Sequence, residues 1–99
     1  MQSRTAAFIR QNELDCTAET RYIDLISELG ELGKELLKGS DYGRRERIPT
    51  AGLQEELGDC LFSLLALCEA LHIDAEDALR GALNKYAQRI AEHGRAGSR

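Results

Sequence analysis

Two short acidic segments carry the chemistry in this sequence. Glu28-Leu29-Gly30-Glu31 and Glu56-Leu57-Gly58-Asp59 are nearly the same tetrapeptide. Each sets two carboxylates three residues apart, which is one face of an α-helix. Like charges at that spacing repel unless something positive lies between them. Four carboxylates converging from two antiparallel helices form an oxygen donor set suited to a hard divalent cation such as Mg²⁺, commonly shared with substrate phosphates. Each segment also carries a mid-helix glycine, at a cost of about 0.5–1 kcal/mol relative to alanine. Two glycines in matching places predict a close approach by backbone or ligand. A solvated polar face is the alternative for Glu28 and Glu31, because Asp24 and Glu35 continue their stripe. Glu56 and Asp59 fit that alternative less well. They share their side with Ser63, Ala66 and Ala70, a small-residue lane on an otherwise apolar segment.

Helices must position these residues. Leu, Ala, Glu, Arg and Lys are good helix formers, and the 99 residues contain one Pro and no Trp, which predicts an all-α chain. Its length predicts a single domain over 1–99, with a leader (1–16) and a polar tail (94–99). Thr17 reads as an N-cap for a helix to about Lys38, with Gly39 as its stop. A loop over 39–49 follows, bearing Arg44, Arg45 and Arg47. Thr50 then caps a helix to about Leu71, and Asp74 caps a last helix to about His93. In the leader, Ala6, Ala7, Phe8 and Ile9 can seed a short helix that Leu14 extends. The short link at 72–74 predicts that the last two helices are antiparallel neighbours in a helical bundle.

The apolar residues set the packing. Tyr22, Leu25, Ile26, Leu29, Leu32, Leu36 and Leu37 form one stripe; Ala75, Ala78, Leu79, Ala82, Leu83, Tyr86 and Ile90 form another. Between them, the 50–71 segment is apolar nearly all round from Cys60 onward. A helix of that kind is central or covered by another subunit. A chain of 11.0 kDa cannot easily surround it, so a homo-oligomer is expected.

Thirteen Lys and Arg against seventeen Asp and Glu give a net charge of −4. That balance argues against nucleic acid or anionic membrane as a partner. Three cysteines without CxxC spacing suggest neither a disulfide framework nor a cysteine zinc site, and a cytoplasmic location follows. Cys60 and Cys68, set among leucines, read as small core residues rather than nucleophiles. Glu69-x-x-His72 has di-iron spacing, but the required second motif is missing because Ile90 stands three residues before His93.

The paired motifs, in the context "LISELGELGKELLKG", "LQEELGDCLFSLLALCEALHID" and "DALRGALNKYAQR", resemble the MazG-like all-α nucleotide pyrophosphohydrolases over roughly residues 20–90. The resemblance implies Glu28, Glu31, Glu56 and Asp59 as ligands of Mg²⁺, with Mn²⁺ as a possible substitute. It also implies hydrolysis of a nucleoside triphosphate to monophosphate plus pyrophosphate, often as nucleotide-pool housecleaning, in a homodimer or homotetramer. Two departures stand out. Ser27 occupies a position where many members carry a third acid, and Asn84-Lys85-Tyr86 with Arg89 matches the phosphate-contacting end only loosely.

Within that scheme Glu31 is the candidate general base, and Lys34, Lys85 and Arg89 are candidate phosphate contacts. For each cation the alternative is a solvated surface charge. A phosphoribosyl-ATP pyrophosphatase-like enzyme uses the same cleavage chemistry, although "SELGELGKELLKG" and "EELGD" look closer to the housecleaning branch. A non-catalytic helical interaction dimer remains the reading from a different class.

Overall fold

A computed structural model describes residues 1–48 and 50–94. They form four helices: α1 (Gln2–Gln11), α2 (Ala18–Gly39), α3 (Ala51–Ala70) and α4 (Ala75–His93). The chain is all-α, with no strand among the described residues. Local chemistry explains most boundaries. The Thr17 hydroxyl accepts the Thr20 N–H at 3.2 Å, and the Asp74 carboxylate accepts the Asp77 N–H at 3.0 Å. Gly94, at φ 76°, lets α4 end in a left-handed turn whose N–H reaches the Ile90 carbonyl at 2.7 Å.

Gly39 is the last residue of α2 rather than the first beyond it. It is buried, and a Cβ there would sit 2.7 Å from the Ile48 carbonyl oxygen. Glycine therefore lets the loop fold back onto the helix end, where the Ile48 N–H donates to the Gly39 carbonyl at 2.8 Å.

α2 and α3 form an antiparallel hairpin, as their register shows. Along α2 from Arg21 to Glu28 to Glu35, the neighbours on α3 run backwards from Phe62 to Asp59 to Gly52. The leader helix forms, but it ends at Gln11, before Leu14. It packs on α3 through Ile9, which is buried as Leu65 and Ala66 are. Gln2 fastens it to the α3–α4 corner, donating to Glu69 Oε2 (2.8 Å) and the Ile73 carbonyl (2.9 Å) and accepting the Ala75 N–H (2.6 Å).

α4 departs from expectation, since it does not return along α3. The leader helix takes a flank of α3, and the Gln2 bonds hold the corner. The apolar stripe of α4 is consequently open, with Leu79 51%, Leu83 57% and Ile90 50% exposed. Much of the α2 stripe is open too, including Tyr22, Ile26, Leu29 and Leu37. No helix among the described residues is long and apolar enough to cross a membrane.

Candidate metal centre

Midway along the hairpin, Glu28 of α2 faces Glu56 and Asp59 of α3. One oxygen from each of the three carboxylates lies within 4.8 Å of the others. The α-helical repeat accounts for Glu56 and Asp59, and the antiparallel register brings Glu28 against them. The electrostatics record the crowding. Desolvation raises the Glu28 carboxyl above its ordinary value, and Asp59 adds to this by repulsion and by a shared hydrogen bond. Glu56 is raised in the same sense, by desolvation and then by Asp59, Glu28, Glu31 and Glu35. Oxygen donors that repel one another are the chemistry a divalent cation relieves, so the residues fit such an ion. The neighbouring Cys60 thiol is also pushed up, by desolvation and then by Glu28, Glu56 and Asp59, which disfavours the reactive thiolate.

Glu31 stands outside this trio. Its side chain is half exposed and lies 3.9 Å from Lys34 Nζ, itself well exposed. Lys85 and Arg89 sit on α4, beside the Tyr86 ring at 5.2 and 5.8 Å, away from the carboxylates of their own chain. The two mid-helix glycines do not mark a close backbone approach within the chain. A Cβ at Gly30 or Gly58 would meet nothing within 4 Å. Both face open space, which leaves room for a ligand or for another chain.

Two residues with structural weight near the site were not singled out by spacing. Glu35, only 14% exposed at its side chain, accepts the Thr50 hydroxyl at 2.6 Å at the start of α3. Thr50 is the N-cap residue, yet its hydroxyl serves Glu35 instead of the helix. A Cβ at Gly52 would lie 2.8 Å from the Glu35 carboxyl, so that glycine accommodates the acid. The other is Arg21, a buried cation whose guanidinium donates to the Leu14 carbonyl at 2.5 Å and lies 5.9 Å from the Phe62 ring centre. Neither left a signal stronger than its place in a polar stripe.

Three carboxylates converging across an all-α hairpin define a class of protein whose acids suit a divalent cation. The sequence comparison is more specific. Residues 16–93 match the MazG nucleotide pyrophosphohydrolase domain, and the chain belongs to that family. The match takes in α2, α3 and α4 with both acidic pairs, and leaves α1 outside. The chain is also 35% identical over 68 residues to the uncharacterized protein YpjD of Bacillus subtilis (strain 168), a match covering 66% of this chain. It spans 60% of the length of that relative. No solved structure matches it.

Proposed function

We propose that this protein hydrolyses nucleoside triphosphates to monophosphate and pyrophosphate with Mg²⁺, or Mn²⁺ in its place, as nucleotide-pool housecleaning. The convergence of Glu28, Glu56 and Asp59 carries this reading, in a chain of a pyrophosphohydrolase family. A divalent cation held there supplies positive charge to the triphosphate oxygens and lowers the pKa of the attacking water. Glu28, Glu56 and Asp59 would hold that ion in place. Glu31 is the fourth carboxylate of the set. Its exposed side chain, paired only with Lys34 at the edge of the site, is free to turn inward and take the proton from the water.

The remaining cations divide by position. Lys34, one turn beyond Glu31 and paired with it at 3.9 Å, would contact a phosphate once Glu31 turns inward. Lys85 and Arg89 lie on a helix that packs along nothing in its own chain, and a homodimer or homotetramer brings them to the carboxylates of another copy.

The test is a panel of nucleoside and deoxynucleoside triphosphates incubated with protein and Mg²⁺ and resolved by chromatography. Monophosphate plus pyrophosphate is expected, abolished by EDTA and by Glu56→Ala. Diphosphate plus phosphate would overturn the bond choice. No turnover, together with a melting temperature indifferent to Mg²⁺, would leave a non-catalytic interaction module.

A further inference from the structure

Glu35 meets Gly52 two helical turns from the point where Glu28 meets Asp59. The interval is seven residues, about 10 Å, along both helices, so one antiparallel register sets both layers. The Glu35 layer is a polar clasp. The side chain is 14% exposed, one carboxylate oxygen accepts the Thr50 hydroxyl at 2.6 Å, and the other lies 3.7 Å from the exposed Lys38 ammonium. Gly52 leaves the room that the carboxyl fills, since a Cβ there would lie 2.8 Å from it. Thr50 gives its hydroxyl to Glu35 rather than to the first turn of α3.

Apolar packing does not fix the register at this end of the hairpin. The buried apolar side chains among the described residues are Ile9, Leu65 and Ala66, all where α1 packs on α3. Toward the loop, α2 from Tyr22 to Lys38 and α3 from Ala51 to Phe62 have no fully buried residue. Leu29, Leu32 and Leu36 recur along α2, and Leu53 and Leu57 along α3. Uniform leucine packing specifies a register weakly. A single part-buried polar contact is a device that fixes one. Sliding α3 by one turn would carry Gly52 off Glu35 and bring up Glu55 or Glu56, acid against acid. The same slip would draw Asp59 about 5.4 Å from its place opposite Glu28.

We propose that Glu35 is a positioning residue for the metal centre. Through Thr50 and Gly52 it holds the register at which Glu28 faces Glu56 and Asp59. This rests on the divalent-cation reading of those three acids. Glu35 also adds to the repulsion on Glu56, so its charge must be separated from its placement in any test.

The test is Mn²⁺ calorimetry on the full chain, with melting in EDTA run alongside. Thr50→Val removes the hydroxyl without costing α3 a side-chain cap, since that hydroxyl makes none. Glu35→Ala removes the acceptor. Both are expected to weaken Mn²⁺ binding about tenfold to a hundredfold, the span for partners that orient metal ligands. Thr50→Ser should bind as the parent does. Glu35→Gln keeps an oxygen for the Thr50 hydroxyl but loses the charge, and should weaken binding no more than about threefold, the worth of one screened charge. Equal weakening in Glu35→Gln and Glu35→Ala would overturn positioning, because charge alone would then explain the loss. Lower melting temperatures with an unchanged Mn²⁺ Kd in Thr50→Val and Glu35→Ala would also overturn it, leaving the clasp to stability alone. Should Glu35→Ala fail to fold, Thr50→Val against Thr50→Ser decides the matter. A parent protein that binds no Mn²⁺ removes the metal reading itself, and this inference with it.

Discussion

Glu28 and Glu31 are both acids on one helix, yet one joins the site and the other faces solvent. Three residues at about 100° each leave two side chains about 60° apart around the axis. α3 packs on one side of that pair, so Glu28 turns toward Asp59 while Glu31 stands at the rim. The trio stores repulsion in the metal-free chain, and Glu56→Gln should relieve part of it. Thermal melting without metal is expected to show this variant at least as stable as the parent. The parent alone should gain stability from millimolar Mg²⁺, by roughly 2.7 kcal/mol at a hundredfold excess over Kd. A Mg²⁺ shift that survives Glu56→Gln would remove that residue from the site. The pH dependence has a defined sign. Because Glu28 and Glu56 are raised, the folded chain holds these protons more tightly than the unfolded one. Metal-free stability therefore falls as pH rises past the ordinary carboxylate value toward the raised ones. The Mg²⁺ shift should run the other way, shrinking on acidification as protons compete for the same oxygens. Parallel melting series in EDTA and in Mg²⁺ check both slopes. Spacing and duplication made this trio legible in the sequence. Arg21 was not, since a buried guanidinium and an exposed one look alike until α1 and Phe62 are in place.

At the scale of elements, the junction of α2 with α3 hangs on Glu35, Thr50 and Gly52. The Glu35 carboxylate sits at the amino end of α3, where the helix dipole favours negative charge. Gly52→Ala improves helix propensity on paper. It should nevertheless lower the melting temperature, because the new Cβ, 2.8 Å from the Glu35 carboxyl, pushes that carboxyl off its hydrogen bond with the Thr50 hydroxyl. Glu35→Ala should lose the hydrogen bond to Thr50, on the order of 1.5–3 kcal/mol for a charged acceptor. In a Glu35→Ala background, Gly52→Ala should cost nothing further. Additive losses in that double-mutant cycle would show that the two residues do not interact. The ends of α2, α3 and α4 were readable to about one residue from Thr17, Gly39, Thr50, Asp74 and Gly94, because caps are local chemistry. The direction of α4 was not readable. It depends on the leader helix lying against α3 and on Gln2 reaching the corner, which are contacts between residues about seventy positions apart.

The whole chain is too open for its mass. Its accessible surface is 7442 Å², against about 5,600 Å² expected for a folded 11.0 kDa monomer. The difference, about 1,800 Å², exceeds the roughly 800 Å² that each partner buries in a standard interface. The radius of gyration, 16.7 Å, also exceeds the ~13 Å of a compact chain of this length. Another copy lying on α2 and α4 would account for both, and on that proposal sedimentation is expected to return a multiple of 11.0 kDa. Leu83→Glu, placed in the open stripe of α4, should shift that mass toward the monomer. Whether the copies also share a site can be read by mixing two inactive variants, Glu56→Gln and a Lys85→Ala/Arg89→Ala pair. If α4 serves the acids of another subunit, a mixed dimer carries one intact pairing of acids and cations. Unfolding and refolding the two together should then restore about a quarter of parental activity, by random association into symmetric dimers. If each chain builds its site alone, the mixture stays inactive; a Lys85→Ala/Arg89→Ala variant that is itself active would show that α4 does not touch the phosphates.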